Sequence, residues 1–225
     1  MVPLPEPDLE LVEVEGLLAG ASNATLLARD SDGGPWVYKP EQGERPLWDF
    51  PLGSLARREV GCYRLSAALA LDVVPETHLA DGPYGPGSAQ RFLDEDWTWD
   101  PRPLIVSADP VLWPIALLDL LANNADRKIG HLLREPGKDE IWAIDNGLTF
   151  HQDEKLRTVL WSFAGELIPV DLMERIEPTA VGSAVAGLLS GEEAEAAVRR
   201  AEGLIEHPYH PGPPADRPPM PWPLW

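Results

Sequence analysis

The sequence predicts an α+β fold in which strands come first and helices follow. Three observations predict it. Over the first hundred residues, short alternating or β-branched runs are separated by turn residues, which gives about five strands and one helix. Beyond Pro103 the character changes to helical, in segments punctuated by Gly and Pro. Between these halves lie residues 123–150, NNADRKIGHLLREPGKDEIWAIDNGLTF, which set Asp126 and Asp145 at the two ends of what reads as a hairpin.

Residues 1–8 (MVPLPEPD) are too Pro-rich for a helix and are expected to form a loose arm. Residues 9–28 alternate, turn through Gly20-Ala21-Ser22-Asn23 and resume as apolar strand, a hairpin with a small-residue tip. PWVYKP at 35–40 reads as a third strand, with Lys39 near its end and Pro40 stopping the ladder. An irregular connection comes next, with Trp48 and Phe50 available to pin it, and Ser54 is the expected N-cap of a helix over about 55–71. VVPETHLAD and GSAQRFLD flank the turn DGPYGP as two more antiparallel strands.

In the second half, Asp109-Pro110 is an N-cap and N1 pair for a helix reaching about Ala122. EKLRTVLWSFAG, IPVDLMERI, SAVAGLLS and EEAEAAVRRAEGLIEH read as three or four further helices, the last with acids suited to its N-terminus. The Pro-rich tail is expected to be extended, with Trp222 and Trp225 packing back on the domain or onto a partner. The chain thus divides into an arm (1–8), a strand-rich lobe (9–95), a helical lobe (96–206) and a tail (207–225).

At 225 residues one compact unit of two lobes is the default. The formal net charge of −19 opposes nucleic acid and anionic membranes, because both are bound by Lys and Arg neutralising phosphates. Neither nucleic acid nor a membrane is an expected partner. Cys62 is the only cysteine, so no intrachain disulfide and no cysteine-based zinc cage form. No secretory apolar region follows Met1, and the longest apolar run, 111–122, is short and interrupted by Pro114 and Asp119. A cytoplasmic protein is the expectation.

Asp126 lies in a polar loop directly after that apolar run, where a buried helix surfaces, and loops on rigid elements carry chemistry. Asp145 ends the strand IWAI and precedes the Asn146-Gly147 turn. Two carboxylates so placed can converge on one metal–phosphate site. Lys39 on a strand can hold phosphates as a point charge, oriented by Glu59 in the next helix. A Lys on an edge strand is, taken alone, more often simply solvated. The 20–25 tip, with Ser22 and Asn23, can offer N–H groups and side chains to phosphate oxygens, although a plain hairpin turn has the same composition.

Together Gly20-Ala21-Ser22-Asn23, Tyr38-Lys39-Pro40, Glu59, residues 123–128 (NNADRK) and Ile144-Asp145-Asn146-Gly147 resemble the phosphatidylinositol 3- and 4-kinase-like superfamily. The resemblance is strongest to a small actinobacterial group of phosphatidylinositol kinase-related proteins, and more distant to the HipA-type kinases. It extends over about residues 10–205. It implies a two-lobed protein-kinase-like fold: a small antiparallel β-sheet N-lobe with one helix, and a reduced helical C-lobe. ATP and Mn2+ or Mg2+ are the implied cofactors. Asp126 is then the catalytic carboxylate that receives or orients the acceptor's hydroxyl proton, with Arg127 and Lys128 offsetting developing charge. Asp145 is the implied metal ligand, with Asn146 where the family has an aromatic residue. Adenine is implied near Gln90 to Leu93, with Phe92 and Leu93 as apolar walls and Ile144 below the ring.

The pattern is broken at His131, where the family places an Asn on the second metal. Imidazole suits transition metals better than magnesium, which implies a preference for manganese and leaves room for a weak kinase. His151, Lys155 and Arg157 come after Asp145 as a small basic cluster suited to a phosphate or an acidic acceptor, although for Lys155 a solvated helix face is the more frequent explanation. The leading reading is ATP-dependent phosphoryl transfer to a hydroxyl of a protein or small molecule, since the charge disfavours a phosphoinositide. A nucleotide-binding pseudokinase scaffold and nucleotidyl transfer on the same fold are the alternatives.

Overall fold

The first five strands turn a narrow set of side chains inward, Leu11, Leu26, Ala28, Tyr38, Ala80 and Ala89. Three of the six are alanines, so the strands can wrap tightly around them. The computed structural model describes residues 5–18 and 24–225. Its strands are β1 (Leu9–Leu17), β2 (Leu26–Asp30), β3 (Pro35–Pro40), β4 (Thr77–Gly82) and β5 (Gly85–Arg91), in the order β1-β2-β3-β5-β4. The tip of the β1–β2 hairpin, with Ser22 and Asn23, lies outside the described residues.

The sheet is not the simple antiparallel one the sequence suggests. It closes into a barrel through a parallel seam, Leu9 against Ala80 and Glu10 against Asp81. The cause lies in β1, whose register against β2 shifts between Leu11 and Glu13 and again between Val14 and Gly16. Such bulges bend a strand, and here the bend carries its first residues to β4. Gly87 lets β5 approach the strand that carries Lys39. A Cβ there would stand 2.3 Å from the Lys39 carbonyl oxygen, so only glycine lies against the end of β3.

Helix α1 (Leu55–Ala68) ends earlier than expected, because Ala70 and Asp72 take left-handed φ values of 48° and 52°. Its expected cap is also corrected. The Ser54 side chain makes no capping bond; instead the Glu44 carboxylate accepts from Gly53 N–H (2.8 Å) and Leu55 N–H (3.0 Å). The acceptor therefore comes from well upstream, which no local pattern announces.

Although α1 lies between barrel strands β3 and β4 in the chain, it packs into the helical core. Its Val60 and Leu65, with Leu69 at its C-cap, join Leu117, Leu121, Phe150 and Val181 in one continuous apolar cluster. The remaining elements are α2 (Arg102–Val106), α3 (Trp113–Ala122), the hairpin β6 (Leu132–Arg134) and β7 (Ile141–Ala143), α4 (Val170–Met173), α5 (Pro178–Val185) and α6 (Gly191–Glu206). Asp109 caps as expected, accepting from Val111 N–H at 3.0 Å, but a 3-10 turn separates it from α3. α6 opens on a capping box between Ser190 and Glu193.

The segment 154–165 is not the helix its sequence suggests; only Trp161–Phe163 forms a 3-10 turn. Its backbone is committed elsewhere: Arg157 N–H donates to Asn124 O (2.9 Å), Arg127 N–H to Arg157 O (3.1 Å) and Val159 N–H to Arg127 O (3.1 Å). A chain that pairs this way with the 124–127 loop is extended. No helix among the described residues is long and apolar enough to cross a membrane.

The tail packs back on the domain. His210 is buried among Trp113, Trp161 and Phe163, its N–H donates to Glu166 O (3.0 Å) and its carbonyl accepts from Gly165 N–H (2.9 Å). Burial lowers the imidazole pKa from its ordinary 6.5, against the Pro211 carbonyl beside Nδ1. A depressed folded pKa means that the unfolded chain binds the proton more readily. The stability His210 contributes is complete above pH 6.5 and is lost as pH falls toward the folded value. Melting temperatures measured at about pH 8 and about pH 5 should therefore drop less for His210→Phe than for the wild type; equal drops would refute the assignment.

Candidate active site

Helix α3 is buried on every side, and one charged residue interrupts it. Asp119 meets the guanidinium of Arg127, eight residues later and fully buried, through Nε (3.1 Å to each carboxylate oxygen) and Nη2 (2.9 Å). Arg127 also donates through Nη1 to Ile144 O (2.9 Å) and through Nη2 to the Asn146 amide oxygen (2.6 Å). Asn124 Nδ2 also donates to Asp119 (2.9 Å), and Asn124 Oδ1 accepts from Asp126 N–H (2.9 Å). One buried ion pair thus ties together α3, the 123–128 loop and the turn after β7. The sequence places Arg127 beside Asp126 to offset charge; the structure turns its guanidinium inward, away from any incoming ligand.

Asp145 follows β7 in a left-handed conformation (φ 55°), with its side chain half exposed. Lys39 Nζ lies 2.8 Å from Asp145 Oδ1 and 2.6 Å from Glu59 Oε1. The second Glu59 oxygen accepts from Asn146 N–H at 2.9 Å. Glu59 therefore binds both Lys39 on β3 and the turn after β7, so three segments distant in sequence share one carboxylate. Burial opposes charge on Lys39, but Asp145 and Glu59 outweigh it and raise its pKa. Lys39 in turn holds Asp145 well below the ordinary carboxylate range, with His131 and Lys128 adding to the effect.

His131 Nε2 lies 3.3 Å from the other Asp145 oxygen. Burial pushes the imidazole pKa down to about 4, so the ring is neutral at pH 7. Its Nδ1 is buried and has no hydrogen-bond partner among the described residues. If the proton sits on Nδ1, the Nε2 lone pair faces a carboxylate oxygen, an arrangement that a cation between them would relieve; if it sits on Nε2, the Nδ1 lone pair is stranded. Asp145 and His131 thus form a two-donor set that fits a divalent ion. Among the described residues, no group of three or more His, Cys, Asp or Glu side chains could hold an ion. Asn146 is no donor to such a site, because its amide is buried between Arg127 and Ala143 O (3.1 Å).

Asp126 projects from the same loop, with Lys128 Nζ 3.1 Å from its carboxylate. Burial raises its pKa and Lys128 opposes the rise, with Arg157 acting in the same sense as Lys128. Arg157 Nε donates to Ala125 O at 2.8 Å, which anchors it beside the loop. The rest of the basic cluster forms a wall: Asn123 holds the 151–155 turn through His151 O, Asp153 O and Lys155 N–H, and the Lys155 ammonium reaches Asp49 (3.1 Å) and the exposed Trp48 ring (4.7 Å). Lys155 is therefore paired and not merely a solvated helix residue.

Of the remaining candidates, Gln90 is buried and donates to Thr77 Oγ1 (3.0 Å), so its amide is engaged within the barrel. Phe92 N–H is given to Pro35 O (3.2 Å), Leu93 is buried and Ile144 N–H donates to His131 O (3.0 Å). The structure thus brings Lys39, Glu59, Asp145 and His131 into direct contact and sets Asp126 with Lys128. The residue that sequence reasoning passed over is Asp119, noted only as an interruption of an apolar run. A lone carboxylate inside a wholly apolar helix was the available signal, since buried charges are paired. Asp119→Ala leaves Arg127 buried and uncompensated; denaturant titration should show a loss of about 3–5 kcal/mol, and a loss under about 1 kcal/mol would show that the pair does not organise the loop.

No family model matches the chain. It is 36% identical over 257 aligned residues to Protein Rv2133c of Mycobacterium tuberculosis (strain ATCC 25618 / H37Rv), covering 94% of this chain and 91% of that protein. Among solved structures it is similar to the Helicobacter pylori proinflammatory kinase CtkA, with a TM-score of 0.57 at 12% identity, over 92% of this chain and 95% of that one. The Golgi casein kinase with Mn/ADP bound gives 0.56 at 13% identity, over 91% and 73% of the two chains. Hydra Fam20 with sugar gives 0.56 at 12% identity, over 88% and 85%. At such identities the likeness is one of fold, and the fold is α+β and kinase-like. The chain belongs to the family of the mycobacterial protein Rv2133c.

Proposed function

We propose that this protein is a kinase of the phosphatidylinositol 3-/4-kinase-like superfamily that transfers a phosphoryl group from ATP to a hydroxyl of a protein or small molecule. The observation that carries the reading is the Lys39–Glu59–Asp145 contact, because a lysine oriented by a helix carboxylate and facing a second, partly exposed carboxylate is what phosphate and metal need together. Lys39 contacts the nucleotide phosphates, and Ser22 and Asn23 supply further donors from the hairpin tip. Phe92, Leu93 and Ile144 flank the adenine. Gln90, whose amide is held by Thr77, shapes that pocket from behind.

Asp145 and His131 hold the divalent ion, which when bound neutralises charge on the phosphates. Asp126 accepts the acceptor's hydroxyl proton as the acceptor oxygen bonds to the γ-phosphorus and the bond from that phosphorus to the ADP oxygen breaks. A pKa raised by burial suits Asp126 to that task. Lys128 offsets the charge that develops beside it, whereas Arg127 serves as a positioning residue. The chemistry of the two-donor set favours manganese over magnesium, since neutral imidazole is a better ligand for the former.

Single-turnover ADP release with Mn-ATP tests the reading. Asp126→Asn should slow release by about 10²–10⁴-fold and leave nucleotide-induced thermal stabilisation intact, whereas Lys39→Ala and Asp145→Asn should abolish that stabilisation. A wild type that binds nucleotide and releases no ADP would favour a pseudokinase scaffold, and label passing from the α-phosphate into product would favour nucleotidyl transfer. A second outcome concerns the ion: His131→Asn should erase the excess of manganese over magnesium in nucleotide-binding titrations, and equal affinity for both ions in the wild type would remove the metal assignment.

A further inference from the structure

Residues 219–225 lie beside the loop that carries Asp126. Ile129 N–H, three residues beyond Asp126, donates to Leu224 O at 2.9 Å. Trp225 lies over Gly130, where a Cβ would stand 3.5 Å from its ring, and the Arg102 guanidinium sits 5.7 Å from the ring centroid. Leu224 packs against the helical core. Further back, Pro219 O accepts twice, from Thr158 N–H (3.2 Å) and from Trp161 Nε1 (2.8 Å). Thr158 is the residue paired in parallel with Arg127.

The segment therefore grips the 126–131 loop at two points: directly at Ile129–Gly130, and indirectly through Thr158, which lies against Arg127. Asp126 and Lys128 flank Arg127, and His131 comes directly after Gly130. The chain from Ile129 to His131 makes only a single 3-10 turn, which has poorer hydrogen-bond geometry than an α-helix and needs support from outside.

We infer that residues 219–225 are a positioning strap for the catalytic loop, with Leu224 and Trp225 setting the placement of Asp126 and His131 through Ile129 and Gly130. The inference rests on the phosphoryl-transfer reading for its kinetic consequence, and on the two backbone contacts for its structural one. Displacement of a catalytic group by a fraction of its working distance is costly for the chemical step and leaves distant nucleotide contacts untouched. Lys39 and Glu59, on β3 and α1, make none of the strap's contacts.

The test compares the full chain with a deletion of residues 219–225, with Trp225→Ala, and with Trp222→Ala, whose side chain is 87% exposed. Amide exchange at Ile129 and Thr158 should accelerate by about tenfold or more in the deletion variant, with amides in α3 unchanged. The single-turnover rate should fall by about ten- to a hundredfold, with Mn-ATP affinity unchanged. Trp225→Ala should show the same effects in smaller measure and decides the matter if the deletion variant does not fold; Trp222→Ala should show neither. Unchanged exchange at Ile129, or affinity falling in step with rate, overturns the inference. If the wild type releases no ADP, the phosphoryl-transfer reading has failed, and exchange at Ile129 and Thr158 alone then decides whether the strap exists.

Discussion

Everything in the site hangs from the buried pair of Asp119 and Arg127. A guanidinium without solvent contact must satisfy its donors inside the fold or forfeit several kcal/mol. Here it does so by reaching two other segments, α3 through the Asp119 carboxylate and the turn after β7 through the Ile144 carbonyl and the Asn146 amide. Two of those acceptors are the residues on either side of Asp145, and the donor is the residue after Asp126. The relative placement of the Asp126 and Asp145 carboxylates is thus fixed by a guanidinium that hydrogen-bonds to neither of them. An asparagine at 146 suits this arrangement, because its amide oxygen can accept from Arg127 and an aromatic ring could not.

The electrostatics of the site run against the electrostatics of the chain. A formal charge of −19 makes the molecule as a whole repel phosphate. Locally, Lys39 and Lys128 sit within salt-bridge distance of Asp145 and Asp126, and Arg157 adds to the field at Asp126. Exposed surface charge is screened within about 8–10 Å at physiological salt, so a partly buried cluster is governed by its neighbours and not by the net charge. An acidic exterior is compatible with a local site of positive potential, while it disfavours docking on an anionic membrane.

What the sequence revealed and what it concealed divide along a physical line. Strands β1 to β5, α1, α3 and α6 were legible because alternation, helical spacing and capping residues are local properties. The pairing of Lys39 with Glu59 was legible as well, since a strand lysine and a carboxylate in the next helix form a short-range pattern. The closure of the barrel was not, because it depends on how far two bulges bend β1. The helix expected over 154–165 failed for a related reason: Arg157 and Val159 have ordinary helix-compatible spacing, yet their backbone groups are taken by Asn124 and Arg127. The inward turn of Arg127 was hidden too, since its partner lies one element away and only the isolated Asp119 hinted at it.

Helix α1 sets how the two halves meet. By packing it belongs to the helical core, through Val60 and Leu65, while its Glu59 reaches out to Lys39 on the barrel. Its Arg58 is buried and donates to Glu193 on α6 and to the Thr149 carbonyl beyond Asp145. Consecutive residues on one helix therefore divide the work: Arg58 fixes the helix within the helical half, and Glu59 bridges the turn after β7 to the barrel's lysine. Any rotation of α1 about its own axis would strain the Arg58 contacts and withdraw Glu59 from Lys39 together. The distance between Lys39 and Asp145 is in this way a property of α1 packing, so the barrel can shift relative to the helical half only along directions that leave Glu59 between its two partners.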